Sequence, residues 1–312
     1  MTGRAHDHDA WTHGHVYLGH GHGHAQQRTF IAVTLTAAFM VVEIVAGWLF
    51  GSMALIADGV HMATHVGALG LAAGAYVLAR RHAKDTRFTF GSGKFGDLAA
   101  FASAIVLGVF ALGVFVESVK RLIAPVPVHF ADALPIAAIG LAVNVASALI
   151  LQTPHGHADD GHAHHHDHNL RAAYVHVLAD AGTSVLAILA LGAGWLFGVG
   201  MLDPVVGIAG AAVIASWAYG LIRDSALVLL DAEDDPDLAS GIRKMIETEM
   251  NARVVDLHLW RLGPGHRGLI VSLLSPDQIT AERIRSALRA RYASLSHVTV
   301  EVSICAECAP VP

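Results

Sequence analysis

The sequence predicts an α-helical membrane protein in which six transmembrane helices precede a small α+β domain. Three observations carry this. First, the 312-residue chain is 54% hydrophobic and only 15% charged, with a mean hydropathy of +0.51. Soluble domains are nearer 45–50% apolar and 25% charged. Second, six apolar segments run at about 29–50, 53–79, 96–123, 132–152, 170–198 and 202–223, each long enough to cross a ~30 Å hydrocarbon core as a helix. Third, the chain changes character after residue 223, where charged and alternating stretches replace the long apolar runs.

Residues 1–28 hold seven of the 22 histidines, His6, His8, His13, His15, His20, His22 and His24, among Gly and Asp. Low complexity and polarity predict disorder there. Nothing in this tail has the basic region and short apolar core of a secretory signal. The transmembrane domain is expected over 29–223. Its second and third spans are joined by RRHAKDTRFTFGSGK, with Arg80, Arg81, Lys84, Arg87 and Lys94. That basic loop reads as cytoplasmic, and an even number of spans then places both termini on the same side. Lys120 and Arg121, at the far end of span three, are fewer. Spans four and five are joined by a second histidine-rich tract, 153–169, again with seven histidines.

The third region, 224–312, opens on the acidic break DAEDDPD, where Asp235 and Pro236 make a helix start. A helix to about Asn251 precedes two strand-like runs, VVDLHLWRL and GLIVSLL, separated by GPGHR. A helix over about Asp277–Arg291 and a strand HVTVEVSI complete an α-β-β-α-β order. A net charge of −6 gives no reason to expect nucleic acid as a partner. Two cysteines cannot build a disulfide framework.

Two constellations carry the chemistry. In ADGVHMATH of span two, Asp58, His61 and His65 are three and four residues apart and share one helix face. In HVLAD of span five, His176 and Asp180 repeat the i, i+4 spacing. A charged Asp at mid-span costs roughly 2.5–3.5 kcal/mol, so something must offset it. His61, His65, His176 and Asp180 together would make a four-ligand site for a divalent transition metal. The alternative is that these groups hydrogen-bond between helices. Asp58 lies one turn away and reads as a supporting partner or a helix-packing group, with direct ligation as the other option. Imidazole binds metal only when neutral, so protons compete for such a site. No GxxxxGK[ST] loop and no DKTG-like aspartate motif suggest nucleotide as the energy source. The histidine tracts read either as metal-capturing segments at the cytoplasmic mouth or as solvated linkers. Cys305 and Cys308 in CAEC have ligand spacing but no second pair, so they read as a peripheral metal site or a plain tail. His258, His266 and His297 read as structural.

The sequence resembles the cation diffusion facilitator family of metal/proton antiporters from Phe30 to Ile304. The resemblance rests on GSMALIADGVHMATH, FTFGSGKFGDLAA, HVLADAGTS, the LDP at Leu202, Asp203 and Pro204, and DLHLWRLGPG. It implies six membrane helices, a cytoplasmic ferredoxin-like domain, and a homodimer in the lipid bilayer of the inner membrane. It also implies exchange of cytoplasmic divalent metal for external protons by alternating access. His61, His176 and Asp180 match the ligand pattern typical of zinc-transporting relatives. Those relatives have aspartate where this chain has His65, and histidine there is similar to the branch associated with Co2+ and Ni2+ efflux. Some relatives bind further metal through histidines on three strands of the soluble domain; here Val255, Ser272 and Glu301 occupy those positions.

Three rival readings fit the residues less well. A membrane di-iron oxidase or desaturase uses histidine boxes, and His162, His165 and His166 imitate one. Such boxes belong in ordered segments at the membrane boundary, whereas these lie in a repetitive tract. In a metalloprotease, HMATH would need a glutamate where Met62 stands. A non-transporting metal buffer explains the tracts but not the intramembrane pairs.

Overall fold

The computed structural model describes residues 25–83, 85–151, 166–233, 235–276 and 279–305. Most of both histidine tracts, Cys308, and the side chains of His65, His176 and Asp180 lie outside the described residues. Six long helices come first: α1 (Ala25–Phe50), α2 (Met53–Arg81), α3 (Phe95–Ile123), α4 (Phe130–Leu151), α5 (His166–Phe197) and α6 (Leu202–Leu229). Then follow α7 (Pro236–Glu249), β1 (Arg253–Gly263), β2 (His266–Ser275), α8 (Ala281–Arg291) and β3 (Leu295–Ile304). Among the described residues, Phe95–Ile123, Phe130–Ser147 and Leu202–Leu229 are long and apolar enough to cross a membrane. Shorter apolar stretches lie in the other three long helices, at Thr34–Phe50, Met53–Ala63 and Gly182–Phe197. Large apolar side chains such as Trp48, Leu112 and Phe197 are exposed on the helices, as expected where lipid rather than water is the neighbour.

The helix ends depart from the sequence expectation in a consistent direction. α5 begins at His166, so the end of the second histidine tract is already helical, and α6 runs through Ala226, Leu227 and Val228 to Leu229. Helix hydrogen bonding continues past the point where hydropathy falls. Contacts divide the chain into two units, Gly21–Leu71 with Ala102–Ile222, and Ala72–Phe101 with Arg223–Pro312. The loop between α2 and α3 therefore groups with the C-terminal region.

In that second unit, β1 pairs antiparallel with β2, and β2 pairs parallel with β3, in the order β1-β2-β3. This is a ferredoxin-like βαββαβ unit without its first strand, and the α-β-β-α-β reading holds. Asp235 caps α7 by accepting from the Leu238 amide at 3.0 Å, and Thr280 caps α8. The α8 start at Ala281 is later than expected because the cap, not the preceding polar run, sets it. Alternate residues of β2, namely Leu269, Val271 and Leu273, are buried with Ile242 and Ile246 of α7 and Ile284 and Leu288 of α8. A second cluster forms from Trp260, Leu262 and Ile270. Phe90 of the α2–α3 loop meets the Trp260 ring edge-on at 5.4 Å. Gly93 lies so close to β1 that a Cβ there would collide with the Leu262 carbonyl. Lys94 pairs with Asp231, and the Arg87 guanidinium hydrogen-bonds Asp85, holding its carboxyl down at about 2.

In the first unit, the start of α2 is held by a residue of α6. Gly51, at φ +72°, ends α1 in the left-handed region that glycine favours. Ser52 then caps α2, its hydroxyl accepting from the Leu55 amide at 3.1 Å. The buried Asp203 carboxylate accepts from the Ser52 hydroxyl at 2.5 Å and from the amides of Met53 and Ala54 at 2.6 and 3.2 Å. These amides have no partner within their own helix. Arg121 donates to the Gly51 carbonyl at 2.5 Å, which gives that basic residue a structural task. Gly207 lets α6 approach, since a Cβ there would stand 2.8 Å from that of Met53. Asp203→Ala should cost about 2–3 kcal/mol, because buried donors lose a charged acceptor. The check is a lower unfolding temperature in detergent with secondary structure retained at 20 °C (about room temperature).

Candidate functional site

Asp58 and His61 are both buried in α2, at 3% and 2% exposure. Asp58 is three residues before His61 and faces α5. Its Oδ2 accepts from the Ser184 hydroxyl at 2.8 Å and its Oδ1 from Thr183 at 3.3 Å. Asn144 of α4 donates to the Ser184 hydroxyl at 3.3 Å. Three helices thus meet in one polar chain: α4 through Asn144, α5 through Ser184 and α2 through Asp58. For Asp58, hydrogen bonding between helices is what the structure shows. Gly59 allows α1 close to α2, a Cβ there standing 2.8 Å from Ile44.

The His61 ring leans on Trp217 of α6, with centroids 4.9 Å apart and planes tilted by 45°. A cleft between α2, α5 and α6 carries Asp58, His61 and Thr183 on walls that are otherwise apolar. In such surroundings electrostatic interactions are stronger than in water, which favours a bound cation beside a carboxylate. His65 stands one turn beyond His61 on α2, and His176 and Asp180 stand on α5 ahead of Thr183. Their side chains lie outside the described residues, so the four-ligand set is not assembled here side chain by side chain. Among the described residues no group of three or more His, Cys, Asp or Glu side chains gathers.

Sequence reasoning missed Ser184, Thr183 and Trp217. The first two were in view, one turn after Asp180 in HVLADAGTS. Trp217 had no signal beyond being a tryptophan in an apolar helix. The histidines of the second unit have ordinary partners: His258 contacts Asp256 at 2.9 Å, His266 meets the Ser296 hydroxyl at 2.6 Å, and His297 lies at the edge of Phe90. Ser272 and Glu301 are register neighbours joined by a 2.9 Å hydrogen bond, and Val255 sits at a bulge of β1. Cys305 is disulfide-bonded.

A double-mutant cycle tests the α2–α5 bridge. Asp58→Ala and Ser184→Ala should show a coupling energy of about 1–2 kcal/mol, read from unfolding in detergent. Strictly additive losses would mean that the bond is not made.

Residues 29–230 match the model of the cation efflux transmembrane domain. A cadmium, cobalt and zinc/H(+)-K(+) antiporter of Bacillus subtilis (strain 168) is 30% identical over 280 residues, covering 88% of this chain and 86% of the relative. The zinc transporter ZitB of Escherichia coli (strain K12) is 32% identical over 285 residues, covering 88% and 87%. The cation efflux system protein CzcD of an Alcaligenes species (strain CT14) is 28% identical over 288 residues, covering 88% and 85%. The match spans the helices that carry Asp58, His61, His176 and Asp180, and the chain belongs to the cation efflux, or cation diffusion facilitator, family of membrane transporters.

Proposed function

We propose that the chain exports divalent transition-metal cations from the cytoplasm in exchange for protons, by alternating access. The observation that carries this reading is the bridge from Asp58 to Thr183 and Ser184. As the second and fifth of six spans, α2 and α5 would run antiparallel. A step of three or four residues forward from Asp58 and the same step back from Ser184 then reach the same depth. That sets His61 level with Asp180, and His65 level with His176. Three imidazoles and one carboxylate on two adjacent turns of facing helices suit a transition-metal ion. Proton competition for the imidazoles supplies the coupling. The names of the relatives support metal transport, and two of those quoted name zinc.

The rest of the proposal follows the family. The protein works as a homodimer in the inner membrane, with both termini and the second histidine tract cytoplasmic. The tracts capture metal near the mouth. Co2+ and Ni2+ are preferred because His65 replaces a carboxylate and leaves the site richer in nitrogen by one donor. A zinc-selective transporter is the second reading, favoured by the name of the ZitB relative. The desaturase reading has no support from the comparisons.

Two experiments test this. Asp180→Ala should abolish metal-driven proton flux in liposomes while the purified protein keeps its wild-type melting behaviour; undiminished flux removes the shared site. His65→Asp should shift the ranking of Co2+, Ni2+ and Zn2+ toward Zn2+ at a fixed pH gradient. An unchanged ranking places selectivity elsewhere.

A further inference from the structure

Glu43 of α1 is a carboxyl group that the site described above does not use. Its side chain is fully buried, at 0% exposure, and neither oxygen has a hydrogen-bond partner. The position is built for it by two glycines. On α4, a Cβ at Gly140 would collide with Oε1. On α2, a Cβ at Gly59 would stand 3.2 Å from the Glu43 Cβ. Helix packing alone would fill such a gap with an apolar side chain.

No cation faces this carboxyl among the described residues. On α2 the ionisable neighbour is Asp58, which bears on it electrostatically, with His61 one turn further. α4 has one ionisable residue in its described length, Asp132 near its start. On α1 itself Arg28 is the other charged residue, fifteen positions earlier, or about 22 Å along the helix. An ionised carboxylate with no partner in so apolar a place costs several kcal/mol. Asp58 has hydroxyl donors on both oxygens, the arrangement of a carboxylate that holds its charge. Glu43 has none, so the proton of the pair belongs on Glu43.

We propose that Glu43 is a proton site of the transport cycle, separate from the metal ligands, filled while the metal site is empty and emptied when metal binds. The ligand is the proton alone. The Glu43 O–H bond breaks, the electron pair stays on the carboxylate, and the proton passes to water on the side then open. A dication bound one turn from Asp58 supplies the field that makes the ionised form tolerable, and its departure restores the proton. The idea rests on the antiport reading and adds a coupled group to it.

The test uses full-length protein. In liposomes, Glu43→Gln, which has the shape of the neutral acid, should still move Co2+ but carry about one proton fewer in the opposite direction per metal. Its rate should depend less on the pH gradient, and Glu43→Asp should restore the dependence. A wild-type proton count in Glu43→Gln overturns the proposal. Infrared difference spectra of the purified protein, with and without Co2+, give a second readout that needs no transport. Wild type should lose a protonated-carboxyl band on metal binding, and Glu43→Gln should lack it. If that band persists in Glu43→Gln, the proton is elsewhere. Absence of metal-driven proton flux in wild type, with the infrared band intact, would instead remove the antiport reading and leave Glu43 protonated.

Discussion

No water in a hydrocarbon layer can solvate polar groups, so each one in the helices must be met by another part of the chain. Of three carboxyl groups of the first unit, two meet this demand and one does not. Asp203 takes the hydroxyl of Ser52 and the first amides of α2. Asp58 takes the hydroxyls of Thr183 and Ser184. Glu43 has no hydrogen-bond partner among the described residues. The first two fix α2 at two heights, one against α6 and one against α5. His61 lies between those helices, and its place follows from theirs.

Much of this was legible in the residues. The six apolar runs, the acidic break before Pro236 and the alternation in GLIVSLL all reflect local patterning, which a sequence displays directly. The i, i+4 spacing of His61 with His65 and of His176 with Asp180 was legible for the same reason. What was not legible is pairing across long separations. Nothing in LDP says that its aspartate caps a helix 150 positions earlier. Nothing in FGSGK says that its glycine lies on Leu262. The glutamate in AAFMVVEIVAG did carry a signal, since a lone acid in an apolar run needs a reason, and its burial against two glycines shows where to look.

The α2–α3 loop groups by contacts with the C-terminal region. A boundary drawn by hydropathy near residue 223 separates membrane from soluble sequence. The contacts instead put Ala72–Phe101 with the C-terminal residues. Phe90 on Trp260 and Lys94 with Asp231 are the means. α2 and α3 therefore each contribute residues to both units.

The cap on α2 has a consequence for synthesis. Ser52 leaves the ribosome long before Asp203, 151 residues ahead of it. At about 5–20 residues per second, the first amides of α2 wait on the order of ten seconds for their acceptor. During that interval Ser52 alone serves the start of the helix. The segment that carries His61 therefore begins with a provisional end, which becomes final only when α6 is made.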